Sequence, residues 1–344
     1  TPISSGTRGG TAITIFGANF GSTPTASIGP NTCPVSQVGG SFLVCTAPEG
    51  VGAELDITVT GEGGDSTVRR AAFRYNAPSI SMISAATRPT AGGVPLTLTG
   101  SNFGATGATA SVGGRACPVM TQTHENIVCG LPEGVGLSDV LVNAGGQQNS
   151  PAGRFTYDPA VLVGVTPGLG RTSGGTLITL TGTHFGPTGT PAVVTVDGDA
   201  CLETQVENHG QATCRAPAGQ GTRAVRITVA GKSSTLPAVS HDAPDILSVE
   251  ASSRPTAGGV TLTLNGTSFG TQRGQVTLGA PACARLAQDH DALSCTLPPG
   301  QGTNLPLTVS VDGLMSMPFS FSYDPPRISG VSPTASPTAG GATL

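Results

Sequence analysis

Gly92-Gly93-Val94-Pro95-Leu96-Thr97-Leu98-Thr99-Gly100-Ser101-Asn102-Phe103-Gly104 is the stretch that decides the fold. Leu96 and Leu98 alternate with Thr97 and Thr99, the pattern of a strand with one apolar and one polar face. Gly-x-x-Phe-Gly then breaks the strand. The same phrase opens at Gly9-Gly10, Gly174-Gly175 and Gly258-Gly259, and a fifth copy begins at Gly340-Gly341. Successive copies are 83, 82, 84 and 82 residues apart, which marks a tandem array. The third copy alternates Ile178 and Leu180 with Thr179 and Thr181, the fourth Leu262 and Leu264 with Thr263 and Asn265.

Each module also contains later strand patterns, at Asp56–Thr60, Val140–Asn143, Val225–Val229 and Leu305–Val311. Turn signals every 8 to 12 residues and no sustained helical period give an all-β sandwich. Modules one, two and four close on an aromatic pair, Phe73 and Tyr75, Phe155 and Tyr157, Phe321 and Tyr323; the third has Val239 and His241 there. Tyr75-Asn-Ala-Pro78, Tyr157-Asp-Pro159, His241-Asp-Ala-Pro244 and Tyr323-Asp-Pro325 leave almost no linker, so semi-rigid beads are expected. The modules are assigned to 1–76 (first strand missing), 77–158, 159–242 and 243–324, with the start of a fifth at 325–344.

Composition narrows the classes. Only 10% of residues are charged, well below the roughly 25% usual for soluble domains, so Thr, Ser, Asn and Gln must supply the polar surface. The 51 Gly and 28 Pro recur with the repeat and read as turns. A formal charge of −4 without a basic stripe argues against nucleic acid; Arg69-Arg70 reads as a solvated strand edge. No run of 18 apolar residues spans a membrane. The sequence starts and stops inside a module and is expected to be a window on a longer protein, with targeting and membrane-anchoring segments outside it.

Eight cysteines fall two per module: Cys33 and Cys45, Cys117 and Cys129, Cys201 and Cys214, Cys283 and Cys295. Their separations of 12, 12, 13 and 12 suit neither a zinc site, which wants closely paired ligands, nor a Cys-x-x-Cys redox motif. Intramodular disulfides are the reading, and they place the chain outside the cytosol. The second cysteine starts a phrase of the form Cys-x-x-Pro that ends in Gly-x-Gly, as in Cys129-Gly-Leu-Pro132 through Gly134-Val-Gly136.

These residues resemble the IPT/TIG family of immunoglobulin-like, E-set-type modules. The resemblance rests on Pro78-Ser-Ile80, Gly92-Gly93 and Gly100-Ser-Asn-Phe-Gly104, repeated at Pro244-Asp-Ile246, Gly258-Gly259 and Gly266-Thr-Ser-Phe-Gly270. His184 and Ser268 replace the Asn of Asn19 and Asn102. The cysteine phrase is most similar to the ectodomain branch found in plexins, hepatocyte growth factor receptor and fibrocystin-like proteins.

Candidate chemistry is sparse. Gly266-Thr-Ser268-Phe-Gly270 matches a nucleophile-elbow pattern, but it is a copy of the structural turn. Gly231-Lys-Ser233 lacks the first glycine of a phosphate loop and reads as a hairpin turn. His124, His184, His209, His241 and His290 sit singly and are expected at the surface or in turns. Asp289-His290-Asp291 reads as a loop tip rather than a calcium site. Asn265-Gly-Thr267 is an N-glycosylation sequon with Asn265 facing outward; Asn31-Thr-Cys33 is the rarer cysteine type. No catalytic, cofactor or metal residue is assigned. The implied function is a non-enzymatic extracellular structural or adhesive rod in a cell-surface coat, stalk, filament or appendage, a ciliary or flagellar surface coat included. The alternative is a receptor ectodomain segment; an accessory module of a carbohydrate-active enzyme is a weaker third. Partners are expected to be other protein chains, neighbouring copies or glycans, seated on the loops Gln122–Asn126, Glu203–Gln211 and Ala287–Ala292.

Overall fold

The computed structural model describes residues 3–84, 87–279 and 282–332. The fifth Gly-Gly copy lies outside them, and residues 325–332 are exposed and without strand. Every regular element among the described residues is a β-strand.

Module two shows the plan. One sheet runs Val119–Gln122, Asn126–Gly130, Pro95–Ser101, Ser79–Ile83, all antiparallel. The facing sheet runs Thr87–Arg88, Gly153–Tyr157, Leu137–Ala144, Thr109–Val112, Arg115–Cys117. The chain therefore enters along one sheet and crosses to the other, where Thr87–Arg88 pairs parallel with Thr156–Tyr157. Ser4–Ser5 does the same against Arg74–Tyr75 in module one. Module four merges its two sheets through Ala282–Gln288, which pairs on both sides.

The alternation in Leu96–Thr99 is realised: Leu96 and Leu98 are fully buried, Thr97 and Thr99 half-buried on the outer face. Phe20, Phe103, Phe185 and Phe269 are all buried. The residue before each ring, Asn19, Asn102, His184 or Ser268, has a φ of 60–62°, the left-handed turn that brings the ring back under the strand. In modules one and two the disulfide joins the two sheets; in module three it ties Cys201, in the link between Asp199–Ala200 and Leu202–Asn208, to Gln211–Arg215, and in module four it joins the neighbouring strands Ala282–Gln288 and Ala292–Thr296 of the merged sheet. Cys117 lies on Arg115–Cys117 and Cys129 on Asn126–Gly130, with 5.4 Å between Cα atoms; the other three pairs span 5.5, 5.8 and 5.6 Å.

The closing aromatics lock each module. Phe155 and Tyr157 pack edge-on with centroids 5.1 Å apart, and Tyr157 Oη donates to the Pro132 carbonyl at 2.8 Å. Tyr75 donates to Pro48 and Tyr323 to Pro298 in the same way. Burial pushes the Tyr157 hydroxyl up to about 12. His241 occupies this place in module three, 3% exposed, so the expectation that it lies at the surface or in a turn is corrected. Its Nδ1 meets the Gly221 carbonyl at 3.1 Å and its Nε2 has no partner. Burial lowers its basicity below that of an ordinary histidine, partly offset by that hydrogen bond.

Candidate functional site: the joints between modules

The receiving half of each joint is built from two repeat phrases tied together. The backbone N–H of the first glycine in Gly-x-Gly donates to the threonine two residues before Gly-Gly. The pairs are Gly50 to Thr7 (3.0 Å), Gly134 to Thr90, Gly219 to Thr172 and Gly300 to Thr256 (each 2.9 Å). The docking half belongs to the next module. Its Phe-Gly turn is held to a loop, with Phe103 N–H donating to the His124 carbonyl at 3.0 Å, and Phe185 to His209 and Phe269 to His290 at 2.9 Å.

Three contacts then recur. First, the residue inside Gly-x-Gly is a knob that fills the space over the glycine of Phe-Gly. Val51 sits over Gly104, where an added Cβ would lie 2.5 Å from Val51 Cγ1; Val135 sits over Gly186, where the distance would be 2.6 Å. Gln220 takes this place over Gly270. These glycines also have φ of 79°, 99° and 69°, so backbone shape and lack of a side chain are both used. Second, the last glycine of Gly-x-Gly packs on the next module's hairpin turn. Gly52 abuts Gly145, Gly136 abuts Ala230 and Gly221 abuts Asp312.

Third, a threonine hydroxyl meets a histidine ring. Thr7 Oγ1 is 2.9 Å from His124 Nδ1; Thr90 is 3.0 Å from His209 and Thr172 3.0 Å from His290. The threonines are 2%, 0% and 1% exposed. The far ring nitrogen faces a carboxylate in two joints, His124 Nε2 at 3.5 Å from Glu49 and His209 Nε2 at 3.6 Å from Glu133. Ala218 stands in that register at the third. A hydroxyl, an imidazole and a carboxylate in a row resemble a catalytic set. Thr7 is sealed between two modules, however, and its hydroxyl cannot meet a substrate.

The third joint replaces apolar packing with hydrogen bonds. Gln220 Oε1 accepts from Thr271 N–H (3.0 Å) and Gln272 N–H (3.2 Å). Its Nε2 donates to the Gln272 carbonyl (2.9 Å) and to Asp312 Oδ2 (2.8 Å).

His124, His209 and His290 lie in turns and loop tips, as expected, but each ring faces the preceding module of the same chain rather than open solvent alone. A signal was present: each histidine stands five residues ahead of the second cysteine of its module. Ser268 of the elbow-like phrase is 2% exposed and sits in the turn. A surface depression of about 620 Å³ lies on module three and offers Thr188, Thr190, Thr204 and one carboxylate, Glu207.

The IPT/TIG domain profile matches residues 1–75, 78–157, 160–241 and 244–323, nearly the whole chain. The chain belongs to the IPT/TIG domain family. It is 27% identical to human (Homo sapiens) fibrocystin-L over 284 residues, covering 78% of this chain and 7% of that protein. Against mouse (Mus musculus) fibrocystin-L it is 24% identical over 331 residues, covering 90% and 8%. The chain thus spans less than a tenth of the curated relatives it matches. Among solved structures, the plexin A4 extracellular region is 18% identical and covers 91% of this chain and 29% of its own, with a TM-score of 0.26. The surface glycan-binding protein PbSGBP-B from Prevotella bryantii is 12% identical, covers 86% and 80%, and has a TM-score of 0.34.

Proposed function

We propose that this IPT/TIG array is a non-enzymatic, extracellular structural or adhesive segment, a rod whose modules are held at repeated angles. The observation that carries it is the recurrence of the same three contacts at all three joints. A flexible string of beads has no need of a buried Thr–His pair at each crossing. Four intramodular disulfides support an oxidising location outside the cytosol. The long outer faces, with half-buried threonines such as Thr97, Thr99, Thr179 and Thr263, are the surfaces left for neighbouring chains or glycans in a coat, stalk, filament or appendage. Asn265 lies on such a face, its Nδ2 donating to Glu250 Oε1 at 3.0 Å, and is proposed as the N-glycan site.

Small-angle X-ray scattering tests the rod. Four beads of roughly 30 Å predict a maximum dimension on the order of 120 Å with a rod-like distance distribution. His124→Ala with His209→Ala broadens that distribution. A native profile matching freely jointed beads sinks the proposal. The receptor-ectodomain reading has one favouring observation: Val163 and Leu247 stand 66% and 64% exposed at equivalent bulges in the first strands of modules three and four, suited to a protein partner.

A further inference from the structure

The receiving half of the joint occurs four times, and three copies are filled. The fourth belongs to module four and is complete: Gly300 N–H donates to the Thr256 carbonyl at 2.9 Å, and Gln301 stands in the knob register between Gly300 and Gly302. Thr256 and Gln301 are exposed, whereas their counterparts Thr172 and Gln220 are 1% and 8% exposed under the next module. No described residue covers this face.

The filled joints show what it fits. Where the knob is valine, the hairpin residue that arrives beside it is small, Gly145 or Ala230. Where the knob is Gln220, the arriving residue is Asp312, which accepts a hydrogen bond from the glutamine amide at 2.8 Å. A buried amide needs such an acceptor; beside Gly or Ala one of its N–H groups would be left unpaired. Gln301 repeats the polar choice. We propose that the Thr256–Gln301 face is a docking surface for a further IPT/TIG module with a histidine five residues before its second cysteine and an acidic residue at the hairpin turn. This rests on the joint reading above and adds a rule for which neighbour is accepted. Module four itself carries both features, His290 and Asp312. Module one has neither the histidine, since Gly40 stands in its place, nor an open hole: its own Glu62 lies over Gly21 and accepts from Ser22 N–H at 3.1 Å. The surface is therefore directional.

The test appends a second copy of residues 243–324 after Asp324, in place of 325–344, and follows hydrogen exchange at Arg254–Val260 of the original module. Ala257→Ser in the appended copy separates the two sets of peptides by mass. Exchange in the original segment should slow on the order of tenfold relative to the unextended chain. An appended copy bearing His290→Ala and Asp312→Ala should lose that protection, with Leu262–Leu264 of the copy still protected as the sign that it folds. An appended 77–158, which brings His124 but Gly145, is a comparator needing no mutation and should protect less. No slowing with the native copy, or equal slowing by all three, overturns the proposal. Scattering from the unextended chain is independent of this outcome, so the rod stands or falls separately.

Discussion

Gly104→Ala is the sharpest probe of the joint. Alanine at a φ of 79° costs about 1–2 kcal/mol wherever it occurs. Gly107 has the same φ of 79° with no atom within 4 Å of the would-be Cβ, so Gly107→Ala measures that cost alone. At Gly104 the new methyl would lie 2.5 Å from Val51 Cγ1, where carbon atoms settle at about 3.5–4.0 Å. Overpacking of this kind adds roughly 1–3 kcal/mol. The added part falls on the contact between modules one and two, because Val51 and Gly104 belong to different modules. Native-state hydrogen exchange reads it: the amides of Thr7 and of residues 50–52 should exchange on the order of ten- to a hundredfold faster in Gly104→Ala than in Gly107→Ala. Val51→Ala removes Cγ1, so the Val51→Ala/Gly104→Ala double variant should return to the Gly107→Ala level, a coupling of about 0.5–3 kcal/mol. Equal exchange in the two glycine variants, or no relief by Val51→Ala, would refute the knob and hole.

Phe103→Ala should destabilise module two by roughly 3–5 kcal/mol in denaturant unfolding followed through that module's own amides, since the ring is fully buried. His241 makes module three acid-sensitive. Its folded basicity is depressed, so the unfolded chain takes the proton first and stability falls as pH drops below about 6.5 towards the lower folded value. His241→Tyr should abolish that dependence in thermal melts across this range. All three tyrosines are shifted upward by burial, Tyr157 to about 12. Here the folded state holds its proton longer, so stability is full below about pH 10 and lost as pH rises towards 12. Phenolate absorbance should therefore appear together with alkaline unfolding; a free titration near pH 10 in the folded protein would contradict the burial of these rings.

The modules, their strands and their family were legible in the sequence because the physics that makes them is local and repeated. Leu96-Thr97-Leu98-Thr99 must turn one face inward at any place in space, Gly-x-x-Phe-Gly must end the strand, and cysteines 12 or 13 residues apart in four registers suit a staple inside each module. The joints were not legible for the opposite reason. Thr7 and His124 are 117 residues apart, as Thr90 and His209 are 119 and Thr172 and His290 are 118. The repeated place of His124, His209 and His290, five residues ahead of a cysteine, marks them as a recurring feature, but that spacing does not say whether the ring reaches into solvent or faces the previous module. Only after two folded modules are set side by side, with Val51 seated over Gly104 and Gly52 against the Gly145 turn, does the loop tip arrive beside Thr7 and become part of the joint. Sequence by itself determined the bead, since a strand's faces and a disulfide's reach depend on near neighbours. Tertiary structure decided how beads meet, because that depends on rigid bodies whose matching surfaces are assembled from segments far apart in the chain.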